Sequence, residues 1–240
     1  MMVNAATQDA LERIAQRAAD VQDAFTPGAT SRFGDVVTDR AASRAVLDPL
    51  AVAAPADAYF VTTDERGRTV YTRDGGFNLV GGTLVGADGR AILGFRAATS
   101  ATSELHVDDV DAELGRVNDL CIERDGTLVY HRAIVDPRTG ARERERVTVG
   151  QVALARFPAA TKLVASGANH FLAPAGVLPH VGCPGDGNFA PVAPMQRETS
   201  RIDFDRSLDR LEEAYIAFDA LQAAHKAQGG IGKTAMDLLK

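Results

Sequence analysis

The segment Gly229-Gly230-Ile231-Gly232-Lys233-Thr234 is the first place to look for chemistry. It imitates the end of a phosphate-binding loop, where glycine amides cradle phosphates and a lysine reaches the terminal ones. The full pattern needs Gly at position 227, where Ala227 stands. Such a loop also follows a strand and opens a helix inside a parallel sheet. Here the segment follows a long helical pattern, and only six residues come after Thr234. That leaves no room for a downstream strand carrying a magnesium-binding Asp, so the segment reads as a helix break.

The other constellations are weaker. His106-Val107-Asp108-Asp109-Val110-Asp111 lacks the glycine and terminal glutamate of a calcium loop and reads as a solvated acidic loop. His170, His180 and Cys183 are zinc-ligand types in a Pro/Gly-rich stretch with no fourth partner at a usual spacing. No Gly-x-Ser-x-Gly elbow occurs, and neither Cys121 nor Cys183 sits in a catalytic-cysteine signature. His131 follows Tyr130 in a strand-like run and reads as structural. The sequence therefore offers no catalytic residue, no cofactor-binding residue, no metal ligand and no cofactor, and the expectation is a non-enzyme. Arg142-Glu143-Arg144-Glu145-Arg146 carries a different message. On a strand its arginines share one face and its glutamates the other. Neither face then suits an apolar core, so it reads as a charge-protected edge strand or a contact surface between subunits.

Three zones must position these residues. In residues 1–40, Leu11, Ile14, Ala18, Val21 and Phe25 step by 3, 4, 3 and 4, an a/d seam on a helix over 9–25. Asp9 reads as its cap, and Thr26-Pro27-Gly28 as its end. Residues 50–199 read as β. Tyr59–Thr63 and Arg68–Thr72 flank a turn at 64–67, and Asp74-Gly75, Gly81-Gly82, Asp88-Gly89 and Asp125-Gly126 mark further turns. More strands are expected at 118–123, 127–135, 142–149 and 151–157. Residues 200–240 turn helical again. Phe204, Leu208, Leu211, Tyr215 and Phe218 form the seam, and Leu221 broadens it. The expected fold class is mainly β with paired N- and C-terminal α-helices: a discontinuous coiled-coil zone (1–40 and 200–240) plus a central irregular β domain (50–199). The assembly interface expected from the seams is Leu11, Ile14, Ala18, Val21, Phe25, Leu208, Leu211, Tyr215, Phe218 and Leu221.

Composition narrows the class. The chain has 240 residues, and 26 basic against 32 acidic residues give a net charge of −6. That balance argues against a nucleic-acid binder, which shows a basic stripe. Two cysteines exclude a disulfide-dense scaffold, though a single bridge stays open. No apolar run reaches the roughly 20 residues that span a bilayer, and no secretory leader pattern opens the chain.

One run is more specific than any of these. Tyr71-Thr72-Arg73-Asp74-Gly75-Gly76-Phe77-Asn78-Leu79 resembles the YTRDGxFxLD signature of bacterial flagellar rod and hook proteins. The surrounding order is similar too. Ala58–Val61 resembles the strand before that signature. Gly82–Gly89 and Ile92–Gly94 resemble the glycine-rich pieces after it. Asp125–Leu128, Val149–Phe157, Gly167–Phe171 and Ile231–Leu239 resemble later family segments, in order. Two family segments depart from the pattern: at 22–33 only Thr26-Pro27-Gly28 and Phe33 resemble the Asn-rich stretch after the first helix, and the SNV before the last helix is not evident near Ser207.

The resemblance implies a self-assembling structural subunit of the flagellar basal-body rod, of the distal type by its YTRDG, with proximal as the alternative. Its implied partners are copies of itself, other flagellar axial proteins and the flagellar export apparatus, with no nucleic acid and no membrane insertion. Its implied location is the extracytoplasmic, periplasm-spanning basal body, reached without a cleavable signal peptide. The alternatives are a soluble monomeric β-rich binding module, or a rod-protein paralogue with no role in the axis.

Overall fold

The computed structural model describes residues 2–26, 29, 31, 33, 43–96, 101–107, 117–135, 138, 142–159, 161–166 and 169–237. The chain divides into two units, Met1–Arg40 with Ser200–Lys240, and Ala41–Thr199.

Among the described residues the regular structure of the second unit is all β. Its main hairpin is β3 (Tyr59–Thr63) with β4 (Thr69–Thr72), paired antiparallel from Phe60↔Thr72 to Thr63↔Thr69. The turn forms because the Asp64 carboxylate accepts the amides of Arg66 and Arg68, and Gly67 takes the left-handed φ of 73° that closes it. These strands sit in a six-stranded sheet with β12 (Leu154–Arg156), β13 (Val164–Ala165), β14 (His170–Leu172) and β15 (His180–Gly182). The order is β13-β14-β4-β3-β12-β15.

A five-stranded sheet takes β7 (Leu93–Phe95), β8 (Thr102–Glu104), β9 (Val117–Ile122), β10 (Thr127–Val135) and β11 (Arg142–Val152), in the order β8-β7-β11-β10-β9. Only Ala153 separates β11 from β12, so one extended run passes from the second sheet into the first. Smaller pairs are β1 (Ser43–Ala45) with β17 (Gln196–Glu198), β2 (Val52–Ala53) with β16 (Ala193–Pro194), and β5 (Asn78–Val80) with β6 (Thr83–Val85).

Alternation explains the packing. Successive strand residues point to opposite faces. On β3, Phe60 enters the larger core with Phe77, Leu84, Ile92, Leu128 and Leu154. Its neighbour Val61 enters a second cluster with Tyr71, Ala153 and Ala155. The hairpin sheet is thus covered on both faces. The Arg/Glu alternation of β11 also holds its register, with Arg132 opposite Glu145 and His131 opposite Arg146. The charges are matched locally, by Arg132–Glu145 at 2.7 Å, Arg144–Asp119 at 3.2 Å and Arg146–Glu123 at 2.9 Å.

The Asp74-Gly75 turn expected from sequence is not a hairpin turn. Val52 donates its amide to the Gly75 carbonyl, and a Cβ at Gly75 would collide with the Val52 carbonyl oxygen. Glycine is there for close backbone approach.

The first unit holds α1 (Met2–Asp23) and α2 (Phe204–Asp237). Asp203 caps α2 by accepting the Arg206 amide at 3.1 Å. Three sequence expectations fail here. Asp9 is no cap; it lies inside α1 and pairs with Arg13 at i+4. Gly229-Gly230 does not break α2, which runs on to Asp237. Each interior glycine costs a helix only about 1 kcal/mol relative to alanine, so it weakens α2 without the block that proline imposes.

Most important, no coiled coil is shown among the described residues, so that part of the expected fold class is corrected. The inward row of α2 is Ser207, Leu211, Ala214, Phe218 and Leu221, while Leu208 and Tyr215 are 47% and 50% exposed. On α1, Ile14 is buried but Leu11 is 48% exposed, and Phe25 lies beyond the helix end. Two of the five α2 inward positions are Ser and Ala, too small to act as interlocking knobs. A groove of about 500 Å³ remains in this unit, lined by Ala6, Ala10, Arg13, Arg17, Ala214 and Leu221 among others.

Candidate functional site

The densest polar cluster lies in the run that singled itself out in the sequence. Tyr71 to Phe77 is buried throughout. Arg73 and Glu198 are each 3% exposed at the side chain, and Arg73 Nε donates to Glu198 Oε2 at 2.6 Å. Arg73 Nη1 donates to the carbonyls of Pro55, Ala56 and Ala58 at 3.1, 3.1 and 2.7 Å. The next residue repeats the arrangement with the signs reversed. Asp74 Oδ1 accepts Arg197 Nε at 3.0 Å, and Oδ2 accepts Arg197 Nη2 at 3.0 Å and Asn169 Nδ2 at 3.2 Å.

The Arg73-Asp74 dipeptide therefore clasps Arg197-Glu198 through two ion pairs. Gly76 is part of the fit, since a Cβ there would strike the Arg197 guanidinium. Each charge in the clasp faces an opposite charge within it. Its chemistry is structural: it ties the end of β4 to β17. Sequence reading missed Arg197 and Glu198. The available signal was the mirrored order, basic-acidic at 73–74 and basic-acidic at 197–198, which lets two antiparallel segments pair crosswise.

The candidate ligand residues do not converge. His106 Nδ1 meets Thr83 Oγ1 at 3.1 Å, and Asp108 to Asp111 lie outside the described residues. His180 stacks on Phe189 at 5.5 Å. His170 faces Asp88 at 3.3 Å. Cys121 and Cys183 are both free thiols. Burial pushes both thiols up, helped by Glu123 and Asp119 at Cys121 and by Asp186 and Asp125 at Cys183. Among the described residues no three His, Cys, Asp or Glu side chains are grouped as a metal centre. Nor is any described helix long and apolar enough to cross a membrane. The Gly229–Thr234 amides belong to α2 and do not form a loop.

The expected interface residues fall into two sets. Ile14 is buried, and Ala18, Val21, Leu211, Phe218 and Leu221 are half-buried within the helical unit. Leu11, Phe25, Leu208 and Tyr215 face outward. Phe25 is 75% exposed even though its ring meets Phe204 at 5.0 Å. The structure also exposes Ile216, which the sequence reading left out.

No protein-family model matches the chain, and no curated protein matches it.

Proposed function

We propose that this chain is a structural subunit of the rod of the bacterial flagellar basal body, and not an enzyme. The observation that carries the reading is the use made of the Tyr71–Phe77 run. The residues that resemble the rod and hook signature are the buried knot on which the β unit closes. Its side chains serve the closure of the fold, a use that suits a scaffold. The outward apolar set Leu11, Phe25, Leu208, Tyr215 and Ile216 supports a chain that covers these side chains by association. Apolar burial at about 25 cal/mol per Å² is the driving force. In this reading the partners are further copies and other axial proteins, and the chain reaches its extracytoplasmic site through the flagellar export apparatus.

The test is quantitative mass spectrometry of purified basal bodies beside the soluble fraction of the same cells. Enrichment with other rod components is the expected result. Recovery only as a soluble monomer would replace this reading with that of a β-rich binding module.

A further inference from the structure

We propose that His170 is an acid-sensitive latch that docks the edge hairpin β13–β14 onto β4. The hairpin is lightly held. Strand β14 meets β4 through two residue pairs, His170↔Thr72 and Phe171↔Tyr71, and both residues of β13 are exposed. Beyond that ladder, its described side-chain attachments come from Asn169, His170 and Phe171, the last packed against the cluster of Val61, Tyr71 and Ala155. The Phe171 ring meets Tyr59 edge-on at 5.6 Å, Asn169 Nδ2 donates to Asp74, and His170 Nε2 faces Asp88 Oδ2 at 3.3 Å. An edge element whose outer strand is exposed belongs to the low-stability end of a fold.

The imidazole sits where a second proton is poorly tolerated. Its side chain is 8% exposed, in a small polar pocket with Thr62, Thr72, Asp74, Asp88 and Asn169. The charged groups facing it come from two elements. Asp88 and Arg90 lie in the β6–β7 connection and bind each other at 3.0 Å. Asp74 follows β4 and is already engaged by Arg197. The loss of water disfavours imidazolium most. Asp88 and Asp74 favour it, and Arg90 opposes it. The outcome is a titration point below the ordinary 6.5. In the closed state His170 is thus neutral at neutral pH, with Nε2 facing Asp88 Oδ2 at 3.3 Å.

Opening the hairpin returns the ring to water, where it titrates near its ordinary value. The open form then binds more protons than the closed one once the pH falls below about 6.5, and acid shifts the equilibrium towards opening. What opening uncovers is the backbone edge of β4, a row of amides and carbonyls ready to pair with another strand.

Hydrogen exchange of the full chain, corrected for intrinsic rate, from about pH 7.5 to about pH 5 tests this across the His titration range. The expected result is falling protection in 164–172 and in β4, by up to about tenfold per pH unit, the limit for one proton. Strands β3 and β12 should keep their protection. His170→Gln keeps a polar side chain beside Asp88 without a titrating ring and should flatten the response. An unchanged slope in His170→Gln, or no pH response in the wild type, overturns the proposal. Should His170→Gln not fold, the NMR titration of the wild-type imidazole decides. A midpoint below 6.5 supports the latch and a midpoint above it overturns it.

Discussion

Arg73 shows how much one buried side chain holds in this fold. Arg73→Ala removes the guanidinium paired with Glu198 Oε2 and strips the donor from three carbonyls. Breaking a buried pair from one side costs about 3–5 kcal/mol. Glu198→Gln also breaks the pair, but the buried guanidinium keeps its three carbonyl acceptors and gains an amide oxygen at 198, so it should cost less. Urea denaturation midpoints at unchanged slope measure both, and equal losses would contradict the clasp. Asp186 gives a pH test at the same scale. Desolvation works upward on its carboxyl, but the amides of Phe189, Asn188 and Cys183 outweigh it, so its titration point falls below the ordinary 3.8. A lowered carboxyl stabilises the fold above the unfolded value and loses that contribution as pH falls through the folded one. Asp186→Asn should therefore flatten the stability loss below about pH 4, read from denaturation midpoints across that range. At this scale the sequence was half legible. Arg73 and Asp74 stood out, but Asp74-Gly75 read as a turn. Nothing local reveals a partner 123 residues away.

The strands were more legible than the helix faces, for a physical reason. Strand limits are set by local turn chemistry, such as Asp64 and Gly67, and these signals lie inside a few residues. A helix face is set by what lies against it. In α2 the apolar rows 208–211–215–218 and 211–214–218–221 share two residues, and the sequence cannot choose between them. The structure turns Leu211 and Phe218 inward and leaves Leu208 out. Phe218→Ala should then destabilise the helical unit, by less than the 3–5 kcal/mol of a fully buried Phe because its site is only half-buried. Leu208→Ala should stay within about 0.5 kcal/mol. Exchange protection of the α2 amides in the two variants checks the order, and the reverse ranking would favour the row read from sequence. The same continuity of α2 governs the Gly-Lys-Thr segment. Its amides are committed to helix bonds, so magnesium ATP should leave the thermal midpoint unmoved, with Lys233→Ala as control.

At the scale of the whole molecule, the question is whether the outward apolar side chains serve association. Leu211→Asp is a poor probe, because Leu211 faces into the helical unit and a buried charge there would loosen the unit itself. Leu208 and Tyr215 separate the two effects, since each is about half exposed. Leu208→Asp with Tyr215→Asp adds charge to a surface that already meets water, so the subunit should fold with unchanged far-ultraviolet dichroism. Association is another matter. Burying two carboxylates in an apolar contact costs several kcal/mol per ion after relaxation, more than two leucine-sized side chains gain there. The expected outcome is a folded chain that sediments as a monomer at concentrations where the wild type associates, and that is lost from purified basal bodies. A double variant that still enters those bodies at wild-type levels would move the contact to another face. A wild type that stays monomeric at every concentration, and enters no basal body, would leave the β unit as the functional part and the helical unit as its attachment.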